Sequence, residues 1–132
     1  MGTKADFYVG RGPTAKWVGS VKYDGYTWVE KPKCALMNAK TETQFLAAVT
    51  KLSKTEEYYF IEVKNGWPWP WSDSGTTDYA YFFQDGKVYV SSWDAQCYPP
   101  VEYVDGSAQS WFPDMAPQRG RIRGGPTILV GF

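Results

Sequence analysis

The chain has 132 residues, enough for one domain and too few for two. Its 14 basic and 14 acidic residues cancel, which argues against a general nucleic-acid coat protein. It has no histidine, so Ser-His-Asp and Cys-His catalysis within the chain are excluded, and a zinc ion would have only Cys34, Cys97 and carboxylates.

No apolar run approaches the roughly 20 residues that a membrane helix needs. Residues 1–6 carry no apolar signal segment, so a cytoplasmic protein with two free thiols is expected. Pairing of Cys34 with Cys97 is the alternative in an oxidising compartment. The 7 Trp and 10 Tyr exceed what a core of this size usually takes. Both types carry a polar handle and favour half-buried positions in pockets and interfaces.

Asp6-Phe7-Tyr8-Val9 is β-prone and stops at the turn signal Gly10-Arg11-Gly12-Pro13. Residues 16–23 read as a second strand, interrupted by Gly19 and closed by Asp24-Gly25. The two runs predict a first hairpin. Residues 26–40, with Pro32 and a short apolar patch at Cys34-Ala35-Leu36-Met37, predict an irregular connection. Thr41-Glu42-Thr43-Gln44 fits a capping box, and Phe45, Leu46, Val49 and Leu52 follow on one helical face. One amphipathic helix is therefore expected over about 42–54, with Lys51 and Lys54 near the negative end of its dipole.

Residues 58–63 are strand-like or extended. In Trp67-Pro68-Trp69-Pro70-Trp71 the alternating prolines fix φ and remove donors, which predicts an extended, polyproline-like segment. The clearest hairpin joins residues 78–84 to 87–93 through Asp85-Gly86. Residues 94–118 are turn-rich around a short strand at 101–104, residues 120–125 form a Gly-rich basic loop, and 127–130 read as a last strand. The expectation is a single α+β domain, 1–132, with a mainly antiparallel sheet and one helix packed on it.

Three constellations carry possible chemistry. In an extended chain Trp67, Trp69 and Trp71 can share a face, either as a stacking platform for a base, a sugar ring or a Pro-rich peptide or as a lid on the core over the helix–sheet seam. Arg119, Arg121 and Arg123 alternate along a Gly-rich segment and suit phosphate, with Arg11 between two glycines as a fourth candidate; a solvated loop and a plain turn are the alternatives. Asp73 and Asp78 flank a Ser/Thr/Gly loop beside the Trp segment, a pairing that would suit glycoside hydrolysis, although Asp73 reads equally as an Asx-turn residue. Tyr79 joins the aromatic candidates. No cofactor fingerprint or metal motif is present in the sequence.

The segments Phe7-Tyr8-Val9-Gly10-Arg11-Gly12, Trp17-Val18-Gly19-Ser20 and Asp24-Gly25-Tyr26 resemble a group of small phage and bacterial proteins without an assigned activity. The resemblance returns at Gly66–Trp71, Asp73-Ser74 and Thr76–Tyr81. It implies context rather than chemistry: a small accessory protein of a phage or mobile element that meets a host molecule in the host cytoplasm.

Three functions follow as expectations. One is a non-enzymatic protein that binds or sequesters a nucleotide-like anionic ligand, such as a host defence signal, through Arg11, Trp67, Trp69, Trp71, Asp73, Tyr79, Arg119, Arg121 and Arg123. A second is an inhibitor or adaptor acting on a host protein. The third is a histidine-free enzyme using Asp, Tyr or Arg. Oligomeric state is open.

Overall fold

A computed structural model describes residues 3–31, 33–55, 60–70, 77–92, 102–103 and 113. The fold is α+β; the described residues form a mixed six-stranded sheet and one α-helix. The strands are β1 (Ala5–Val9), β2 (Lys16–Val21), β3 (Phe60–Ile61), β4 (Tyr79–Gln84), β5 (Lys87–Ser92) and β6 (Glu102–Tyr103). They lie in the order β3-β2-β1-β4-β5-β6.

Local sequence explains the hairpins. β1 and β2 pair antiparallel around a turn in which Gly10 and Gly12 take φ of +88° and +73°. β4 and β5 pair antiparallel around Asp85 (φ 53°) and Gly86 (φ 79°), the double positive φ of a type I′ turn. β2–β3 is also antiparallel. Three of the five described strand pairs are antiparallel, as expected of a mainly antiparallel sheet, but the central pair is not. β1 and β4 are parallel neighbours, with Ala5 opposite Tyr79 and Val9 opposite Phe83, and β5–β6 is parallel too.

α1 (Glu42–Thr55) starts where its capping box says it should. The Thr41 hydroxyl accepts from the Gln44 N–H at 3.1 Å. The Gln44 amide reaches back one residue further than the usual pattern, accepting from the Lys40 N–H at 2.7 Å. Phe45 and Val49 are buried; Ala48 and Leu52 pack beside them, whereas Leu46 is half-buried outside that cluster. Residues 26–40 form successive turns whose Pro32 lies outside the described residues, as do residues 120–125 and 127–130. β2 ends at Val21 rather than Tyr23, and the strand expected at 58–63 is confined, among the described residues, to Phe60–Ile61.

Both faces of the sheet are buried. On one, Phe7, Val21, Tyr81, Phe83 and Val90 meet Phe45 and Val49 of α1 and Trp28, Val29 and Leu36 of the irregular connection. Phe45 stacks on Phe83 with centroids 5.6 Å apart, and Trp28 sets its edge against Phe7 and Tyr81. The Tyr81 hydroxyl reaches the turn that precedes that connection and donates to the Gly25 carbonyl at 2.6 Å. The second face carries a separate core of Tyr8, Trp17, Ala80 and Phe82, together with Trp67 and Trp69.

Candidate functional site

Strand register builds the second face in rows. Trp17, Tyr8, Phe82 and Tyr89 are successive partners across β2, β1, β4 and β5. They form an aromatic row, with Tyr8 and Phe82 stacked at 5.0 Å. The neighbouring row is small and polar: Ser20, Asp6, Ala80 and Ser91. A bulge in β2 near Val18 resets the alternation so that both Trp17 and Ser20 point to this face.

Asp6 is fully buried in the smaller row. Its Oδ1 accepts from the Ser20 hydroxyl at 2.6 Å and from Trp69 Nε1 at 2.7 Å. Trp17 Nε1 donates in turn to Ser20 Oγ and to the Gly19 carbonyl, both at 2.9 Å. A buried carboxylate is costly unless donors surround it, and here the Trp69 indole and the Ser20 hydroxyl donate to it. Trp67 sets its ring edge-on to Trp17 at 5.2 Å. Residues 66–70 thus form a strap pinned to the sheet by two indoles. Trp67 and Trp69 cover a core, but on the sheet face opposite α1 and not at the expected helix–sheet seam: at 1% and 5% exposure, neither offers a ring for stacking to an incoming ligand.

The other sequence candidates do not converge on these two. Tyr79 is half-buried on the opposite, helix-bearing face, stacked on Tyr81. Arg11 is exposed on the β1–β2 turn, beyond Val9. Tyr79 pairs with Ala5 at the other end of β1, four residues or about 13 Å away along the strand. Asp78 accepts from the Lys4 backbone N–H at 2.8 Å, tying β4 to the start of β1. Trp71, Asp73, Arg119, Arg121, Arg123 and Cys97 lie outside the described residues. Cys34 has a free, half-buried thiol.

No family model matches the chain, and no curated protein or solved structure matches it. Among the described residues no three of His, Cys, Asp and Glu group as metal ligands. No helix among them is long and apolar enough to cross a membrane.

What the topology does assemble is a cationic end. β1 and β4 run parallel, so both finish at the same edge of the sheet. The Gly10 N–H donates to the Phe83 carbonyl at 2.8 Å, which fixes the Arg11 turn against β4. Lys16 pairs with Val9, and Lys87 with Gln84. The Lys40 carbonyl lies 3.6 Å from where a Cβ on Gly86 would stand. Among the described residues, Arg11, Lys16, Lys40 and Lys87 are thus exposed around one end, Lys16 and Lys87 on opposite faces of the sheet, and Asp85 is an exposed acid in the β4–β5 turn. Tyr89, half-buried, shares the face of Lys87 two residues along β5. Sequence reasoning missed the three lysines because only the parallel β1–β4 pairing brings their separate turns together.

Proposed function

We propose that this protein is a non-enzymatic binder of a nucleotide-like anionic ligand, held at the sheet end that carries Arg11. The observation behind this reading is the exposure of four cations around one end of the sheet: Arg11 on the β1–β2 turn, Lys16 and Lys87 at the first residues of β2 and β5, and Lys40 just before α1. Guanidinium and ammonium donors suit phosphate oxygens. Tyr89, half-buried two residues along β5 from Lys87, is a candidate to stack on a ring. Arg119, Arg121 and Arg123 would add to the same anion site. The resemblance to small phage and bacterial proteins suggests sequestration of a host signalling nucleotide in the host cytoplasm. The histidine-free enzyme has less to draw on, since Asp78 is engaged in a backbone bond and Asp6 is buried under Trp69.

A thermal-shift screen with mono-, di- and cyclic nucleotides tests the proposal. A ligand that binds the folded state raises the melting temperature by mass action. The expected result is a rise with at least one nucleotide, absent with the matching nucleobase. An unmoved melting temperature across the set refutes it.

A further inference from the structure

The cations of the sheet end fall into two groups. Arg11 and Lys16 belong to the β1–β2 connection, and Lys87 opens β5 after the Asp85-Gly86 turn. Lys40 joins the second group: its carbonyl lies beside Gly86, and the Gln44 side chain accepts from its N–H at 2.7 Å. In the order β2-β1-β4-β5 the two hairpins are neighbours. Strands about 4.8 Å apart put the two turns about 10 Å from one another, and the Lys16 and Lys87 backbones about 15 Å apart. Alternation then turns these two lysines away from each other. Trp17 belongs to the second core and Val88 to the first, so Lys16 projects on the helix-bearing face and Lys87 on the other.

Both groups stand on fixed backbone. The Gly10 N–H donates to the Phe83 carbonyl at 2.8 Å and the Ala15 N–H to the Gly12 carbonyl at 2.9 Å, on either side of Arg11. Asp85, the exposed acid of the second turn, accepts from Gln84 Nε2 at 3.1 Å. We propose, resting on the reading that a nucleotide binds at this end, that its ligand carries two phosphate groups separated by a sugar, one held at each turn. The phosphates of a diphosphate share a bridging oxygen, so they stay together on one group and leave the other without an anion. Phosphates on opposite sides of a ribose, as in a nucleoside 3′,5′-bisphosphate or a dinucleotide, can meet Arg11 and Lys87 together, each as a charge-assisted contact. Cations held apart in advance select for that spacing, because little of the protein has to be reordered on binding.

The test is calorimetric titration of the full chain, at fixed ionic strength, with the 3′,5′-bisphosphates of adenosine, guanosine, cytidine and uridine and with their isomeric 5′-diphosphates. At least one bisphosphate is expected to bind about tenfold or more tightly than its isomer, the worth of one added charge-assisted contact. Arg11→Gln and Lys87→Gln should each remove that preference, since each takes away one of the two holding points. Both side chains are exposed, and melting curves check that the variants are folded; Lys16→Gln replaces Arg11→Gln if that variant is not. Isomers of equal affinity overturn the two-turn assignment but leave a nucleotide site in place. A preference that survives either substitution overturns it as well, because the phosphates then lie elsewhere. No binding by any of these compounds fails the nucleotide reading itself, and the assignment with it.

Discussion

Replacing Asp6 by alanine should loosen the second core while sparing the first. Asp6 Oδ1 accepts two hydrogen bonds within a fully buried site. Bonds to a charged acceptor contribute about 1.5–3 kcal/mol each. Ser20 can rotate its hydroxyl towards another acceptor, but an indole N–H only donates and cannot adapt. The net loss is therefore about 2–4 kcal/mol, carried mostly by Trp69. For a domain of this size it corresponds to a melting temperature lower by about 10 °C. Asp6→Asn can keep its carbonyl oxygen at the Oδ1 position and loses only the charge assistance, so it should cost less than half as much. Urea unfolding gives the free energies, and tryptophan emission reports whether Trp67 and Trp69 have become wetter. An Asp6→Ala variant within about 0.5 kcal/mol of wild type, the scatter of an ordinary surface substitution, with unshifted emission, would refute the reasoning.

Other substitutions probe the remaining joints. Thr41→Ala removes the acceptor for the Gln44 N–H and should cost about 1 kcal/mol in chemical denaturation. Tyr81→Phe deletes the bond to the Gly25 carbonyl across the helix-bearing face and should cost about 1–2 kcal/mol. Gly25→Ala would put a Cβ 2.9 Å from both the Lys4 carbonyl carbon and the Thr3 oxygen, which are backbone atoms that cannot step aside. That variant should destabilise more than Gly19→Ala, whose 2.4 Å clash is with the end of the Phe60 ring, although Gly19 also has φ +151°; paired melting curves decide the order.

The elements that sequence disclosed are those specified by neighbouring residues. Asp85-Gly86 demands positive φ and closes its hairpin; Thr41 and Gln44 cap the helix they precede. The parallel β1–β4 pairing joins residues more than 70 positions apart, and no local pattern announces it. The alternation in Trp67-Pro68-Trp69 fixed a shared face for the indoles but not which way it turned. That was settled by partners distant in sequence, Asp6 and Trp17. A signal for Asp6 was present. β1 is a central strand buried on both faces and should read as continuously apolar, so an acid between Ala5 and Phe7 marks a site with internal donors. Arg11 was found by its flanking glycines; Lys16, Lys40 and Lys87 look like ordinary surface lysines until the topology gathers them.

Calorimetric titration of the best-stabilising nucleotide into wild type and into an Arg11→Ala, Lys87→Ala double variant examines the anion site most directly. Two charge-assisted contacts at about 1.5 kcal/mol or more each predict at least a hundredfold loss of affinity, with folding unchanged. Equal affinity in the two proteins would show that the ligand sits elsewhere, and the cationic end would lose its assigned role.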